Sequence, residues 1–169
     1  MPEEPVAPSA PDTSLKNVKA LGIVSLLTDA SSEAIYPILP LFLSSVLGTP
    51  VAVIGVIESI AEATASLMKV FSGWLSDRVG KRRPLILAGY ALSNLMKPVL
   101  AIAGTWPAVL AVRFADRFGK GIRTAPRDAL IADSAPPEVR GKAFGLHRAL
   151  DTLGAAIGPL IAWATLSLV

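Results

Sequence analysis

Five apolar stretches, at about residues 20–46, 51–75, 85–103, 107–130 and 143–169, follow one another with turns as short as Leu47-Gly48-Thr49-Pro50 between them. An α-helix needs roughly 20 residues to cross a hydrocarbon layer about 30 Å thick, and each stretch is of that order. Nothing between them is long enough for a separate polar domain, so the chain is predicted to be an all-α membrane protein with five transmembrane helices. The 52% hydrophobic and 17% charged content agrees, as does the mean hydropathy of +0.55. The first stretch exceeds one bilayer thickness and holds Pro37 and Pro40, which predicts a tilt or a kink. Residues 1–19, rich in proline and acids at the start, read as a disordered cytoplasmic tail, and 20–169 as the bundle.

The segment Gly73-Trp-Leu-Ser-Asp77-Arg78-Val-Gly80-Lys81-Arg82-Arg83-Pro84 is too charged for hydrocarbon and reads as a loop. It carries four Lys/Arg, Lys16 and Lys19 precede the first span, and Arg123, Arg127, Arg140 and Lys142 fall around a second loop read over 127–142. The two opposite turns carry none. Under the positive-inside rule this predicts a multi-pass protein of the cell (inner or plasma) membrane with a cytoplasmic N-terminus. A pI near 9.4 by itself raises nucleic acid as a partner, but the basic residues sit in short loops and inside apolar helices without a recognition surface, so none is expected. There is no cysteine. No metal-ligand spacing, phosphate-cradling glycine loop or nucleophile–base pair occurs, so neither enzymatic activity nor a cofactor is expected.

Ionisable residues inside spans are costly unless they pair or face water, which makes them candidates for function. Asp29 and Glu33 lie four apart in the first span, Glu58 and Glu62 in the second, His147 and Asp151 in the fifth. In the fourth, Arg113, Arg117, Lys120 and Thr124 share a helical face, and Arg117, ten residues past Pro107, falls about 15 Å deep. Asp29, Glu33, Glu62, Arg113 and Arg117 are therefore the candidate cavity residues, for substrate or proton. For Asp29 a coupling role and a structural pairing with an arginine are both open. Glu58 is placed close to the external end, where solvation accounts for it. Lys97 is expected to snorkel outward past Pro98, Lys120 and Arg123 toward the cytoplasmic surface, and His147 to meet cytoplasmic water.

Three motifs resemble the N-terminal half of a major facilitator superfamily transporter, closest in pattern to the drug:proton antiporters. The loop G-x-L-x-D-R-x-G-K-R-R places that family's Asp, Gly and basic positions on Asp77, Gly80 and Lys81, with Arg78 between. Its fourth-helix Arg, small-residue and Asp positions fall on Arg113, Arg117, Gly121 and Asp133. The antiporter motif of its fifth helix is matched from Gly154 through Gly158 and Pro159 to Ala162-Trp163. The resemblance implies five helices of one six-helix bundle, a charge latch of Asp77, Lys81 and Asp133 at an inner gate, and alternating access against a second bundle, either a missing C-terminal half or another copy. Implied partners are a small-molecule substrate, protons and the lipid bilayer. Arg117 replaces the family's usual Gly and Asp116 its Gln, which makes the cavity more charged.

The reading is thus membrane transport of a small solute, as proton-coupled antiport or efflux, by a chain that looks truncated. Organic-anion uptake on the same fold, and a non-transporting membrane module that associates with a full-length partner, are the alternatives.

Overall fold

The computed structural model describes residues 13–168, and the expected tail over 1–12 lies outside them. Among the described residues there is no strand. The helices are α1 (Thr13–Ile35), α2 (Ile38–Leu41), α3 (Val51–Val79), α4 (Arg82–Ala101), α5 (Trp106–Ser134) and α6 (Arg140–Leu166). The first predicted span is α1 and α2 together. Two prolines without N–H groups break it near Tyr36-Pro37, and it ends in a wide π turn over Phe42–Val46, in which Leu47 N–H donates to the Phe42 carbonyl at 3.2 Å.

Three boundaries correct the sequence reading. Residues 13–19 form the first turns of α1, where a tail was expected. The charged segment 73–84 shrinks to Gly80-Lys81, because α3 stays helical to Val79 and carries Asp77 and Arg78 on its last turn. There Gly80 takes φ 65°, left-handed backbone that glycine adopts without a Cβ penalty, and its N–H closes the helix on the Ser76 carbonyl at 3.0 Å. The second loop, read over 127–142, begins only beyond Ser134, because α5 continues through the buried Pro126. The residues beyond it, Arg127 and Ile131, are buried against other helices, and that packing outweighs one missing intrahelical bond.

Helices α3, α4 and the segment Pro137–Leu166 are long and apolar enough to cross a membrane by length and composition. Helix α5 is interrupted by Arg113, Asp116, Arg117, Lys120, Arg123 and Arg127 and takes its place through packing. It lies against α3 and α4, while α1 pairs with α6. Small residues allow these close approaches. A Cβ on Gly158 would stand 2.7 Å from the backbone carbon of Glu33, and one on Gly119 would stand 2.8 Å from the Gly89 carbonyl oxygen.

Apolar clusters close the bundle at both ends. Leu39, Leu43, Ile57, Ala103 and Val109 pack at one end, and Val18, Ile131, Ala135 and Ala143 at the other. Between them the interior is polar, whereas Leu27, Leu67, Val70, Leu87, Leu160 and Trp163 point outward. A charged middle with an apolar outside is the arrangement hydrocarbon solvent imposes.

Candidate functional site

The polar layer is organised by α5, whose cations reach acids on three other helices. Arg113 is 4% exposed. It holds Glu58 of α3 with two nitrogens, Nε to Oε1 at 3.2 Å and Nη2 to Oε2 at 2.6 Å, and Nη1 lies 3.8 Å from Asp116. Such a two-pronged pair fixes direction as well as charge. One turn on, Arg117 Nε stands 3.4 Å from Glu62 Oε1. This contact is electrostatic only, since Nε makes no hydrogen bond, and Glu62 is largely exposed.

Toward the other end of α5 the pairs cross to α1 and α6. Arg123 Nη2 lies 3.3 Å from Asp29 Oδ1, and its guanidinium sits over the Tyr90 ring, 4.2 Å from the centroid. Arg127 Nη1 donates to Ser25 Oγ at 3.0 Å and lies 3.5 Å from Asp151 Oδ1, while Ser25 Oγ donates to the same carboxylate at 2.5 Å. Ser93 on α4 donates to Asp116 Oδ1 at 2.7 Å. Lys97 of α4 donates to the Thr28 carbonyl at 2.9 Å, to Ser31 Oγ and to Asn94 Oδ1 at 3.0 Å. The α1/α6 pair is therefore joined to α4 and α5 in large part through long polar side chains, and removal of one partner leaves a charge stranded. Arg123 Nε and Nη1, Tyr90 Oη and His147 Nε2 are buried without a hydrogen-bond partner among the described residues.

On the flank where α3 meets α4, a basin of about 460 Å³ brings Asp77, Gly80, Lys81, Arg82 and Asp133 together. Residues 21–168 match the family model described as Major Facilitator Superfamily. The chain belongs to the major facilitator superfamily. It is 43% identical over 143 residues, 85% of this chain and 35% of the relative, to an uncharacterised MFS-type transporter of Methanocaldococcus jannaschii. It is 38% identical over 143 residues, again 85% of this chain and 35% of the relative, to an uncharacterised protein of Mycobacterium tuberculosis. It is also 26% identical over 139 residues, 82% of this chain and 34% of the relative, to multidrug resistance protein MdtH of Edwardsiella ictaluri. The chain spans about a third of the length of these relatives.

In this major facilitator chain the predicted residues fall mainly into three places, the polar layer, the α1/α6 seam and the basin. Asp29, Glu62, Arg113 and Arg117 enter the polar layer, each paired with an opposite charge. Glu33 packs its stem against Gly158 at the α1/α6 seam. Asp77, Gly80, Lys81 and Asp133 line the basin, but the ion pair there joins Asp133 to Arg82. Arg78 turns back over Trp74, 5.4 Å from the ring centroid. Gly154 and Gly158 meet the backbone of α1, while Pro159 faces outward and exposed.

Four expectations are corrected. Glu58 is the acid that grips Arg113. Lys97 reaches inward because three oxygens of α1 and α4 accept its ammonium protons. Arg123 and His147 are each 1% exposed, and Arg123 is held between Asp29 of α1 and the Tyr90 ring of α4. Arg123, Arg127 and Asp151 were left out of the candidate cavity, although the continuation of the Arg113–Arg117 spacing along α5 pointed to the first two.

Proposed function

We propose that the protein containing this chain moves a small solute across the cell membrane by alternating access, exporting it in exchange for protons, with the chain's N-terminus on the cytoplasmic side. The observation that carries this is the row of buried cations Arg113, Arg117, Arg123 and Arg127, facing Glu58 and Glu62 on α3, Asp29 on α1 and Asp151 on α6. Ion pairs between helices have more than one workable arrangement, and exchange among them gives a bundle two packings. A carboxylate released from its arginine by a proton is the step that ties such a change to a pH gradient. In this reading Asp77, Arg78, Gly80, Lys81 and Asp133 border the cytoplasmic gate, and the bundle rocks against a second helical bundle. The multidrug resistance name of one relative supports the outward direction.

The loosely held Arg117–Glu62 pair favours a second reading. An Arg117 Nε without a hydrogen bond, beside a largely exposed acid, offers an organic carboxylate a place. Reconstituting the full-length protein in proteoliposomes with an imposed pH gradient separates the two. Ethidium extrusion abolished by a protonophore supports proton-coupled export, and salicylate uptake without ethidium movement supports the anion reading. Flux of neither probe under any gradient, from a protein that is folded and inserted, counts against both.

A further inference from the structure

Where α1 lies on α6, carboxyl groups from the two helices come together in the interior. The helices are set side by side through small residues, with Gly22 against Leu150 and Gly154 against the Leu26 backbone. This places Ser25 and Asp29 beside Asp151. Asp29 and Asp151 stand within side-chain hydrogen-bond reach of each other, and Ser25 Oγ donates to Asp151 Oδ1 at 2.5 Å. Two carboxyl groups form a hydrogen bond only when one of them carries a proton, because an ionised carboxylate has acceptors alone. Both side chains are mostly covered, and like charges in contact away from water are costly.

The surrounding charges bear on whether the pair stays singly charged. On α5, Arg127 Nη1 lies 3.5 Å from Asp151, but its Nε and Nη2 lie 3.3 Å from Asp128. Arg123 reaches Asp29 through one nitrogen at 3.3 Å, and Lys120 lies three residues before it. Asp116 is held by Ser93. On α4, Tyr90 stacks on Arg123, and Lys97 is engaged by Thr28, Ser31 and Asn94. On α6, His147 precedes Asp151 by one turn, and the mostly exposed Arg148 lies 3.7 Å from it. On α1 itself, Glu33 follows Asp29 by one turn. The cations nearest the pair are thus shared with other groups or held by one long bond. Arg123 Nε and Nη1 are buried without an acceptor among the described residues. A second negative charge on the pair would draw these donors in, and their idleness agrees with a single charge.

We propose that Asp29 and Asp151 hold one proton between them, as a carboxyl–carboxylate bond braced by Ser25, and that this bond is the proton-carrying tie between α1 and α6. Asp151, with 19% of its side chain exposed, is the side from which water exchanges the proton. Its loss leaves two carboxylates that repel and turns the free N–H groups of Arg123 toward Asp29, and its return restores the tie. The place of the proton is independent of transport, and only its use rests on the export reading.

Infrared difference spectroscopy of the folded full-length protein in detergent, titrated from acid to alkali, reads the carbonyl stretch of a protonated carboxyl without any flux. The wild type is expected to show this band at neutral pH. Asp29→Asn and Asp151→Asn are each expected to lose about one carboxyl's share of it, because the acid left alone pairs with its arginine and ionises. Asp151→Glu keeps both acids and is expected to keep the band at a shifted frequency, which covers the case in which an Asn variant does not fold. Glu138→Gln, at an exposed position away from the pair, is expected to leave the band unchanged. Absence of the band from the wild type, loss in Asp29→Asn alone, an equal loss in Glu138→Gln, or an unshifted band in Asp151→Glu overturns the shared proton. Loss in both Asn variants of a protein that moves no ethidium supports the pair and fails the export reading. Proton-driven ethidium export with a band that neither variant alters overturns the pair and leaves export standing.

Discussion

Arg113 and Glu58 face each other across the α3/α5 contact with two nitrogens on two oxygens, and only one of the pair is well covered, at 5% side-chain exposure for the arginine against 21% for the glutamate. The asymmetry predicts an asymmetric response. Glu58→Ala strands a buried guanidinium and is expected to lower stability by about 3 to 5 kcal/mol, whereas Glu58→Ala/Arg113→Met recovers much of that loss. Thermal unfolding of the purified full-length protein in detergent reads both. A double variant no more stable than the single one refutes the pairing.

The seam between α1 and α6 predicts a size effect with no charge in it. A Cβ at Gly158 meets the backbone of Glu33 at 2.7 Å, but one at Gly141 or Gly145 meets nothing within 4 Å. Gly158→Val is expected to cost about 1 to 3 kcal/mol or to block insertion, as overpacking does. Gly141→Ala and Gly145→Ala are expected to be tolerated. Melting temperatures and membrane yield of the three variants check this, and equal behaviour contradicts it.

The helices were legible because apolar runs bounded by Pro50, Gly80 and the 102–105 turn leave few alternatives in a bilayer. Side-chain destinations were less legible, for identifiable reasons. Local charge around Gly73–Pro84 looks the same on a helix end as in a loop, and only the Gly80 cap fixes the boundary. Pro126 ends a helix in water, but here the burial of Arg127 and Ile131 carries α5 through it. Reading Arg127 as loop then hid its place beside Ser25 and Asp151. Lys97 was misdirected because its three acceptors include the Thr28 carbonyl, a backbone atom on another helix that no side-chain pattern announces. What α5 itself carries is periodic and local; which helix faces it is tertiary.

Lys97 accordingly serves as a tie between α4 and α1. Lys97→Met keeps the length and removes the charge-assisted bonds to Thr28, Ser31 and Asn94, with an expected loss of about 1.5 to 3 kcal/mol. A side chain that snorkelled outward would show almost none. The comparison is thermal unfolding of Lys97→Met against Leu95→Met, an outward-facing position two residues away on the same helix.

The Arg82–Asp133 pair predicts the reverse profile, with a small effect on stability and a larger one on function. Asp133 is more than half exposed, so solvent screening limits the pair to less than about 1 kcal/mol of stability. Its ends lie on α4 and on the last turn of α5, beside the two-residue turn that closes α3, and in the alternating-access reading it holds one of two packings. Arg82→Asp is expected to lower flux by about tenfold, the size of a modest coupling between two states, with unchanged melting. Arg82→Asp/Asp133→Arg restores part of the flux by rebuilding the pair in reverse. Lys81→Asp, whose side chain makes no ion pair among the described residues, is expected to impair flux without rescue by Asp133→Arg. Rescue of Lys81→Asp in place of Arg82→Asp would move the latch to Lys81.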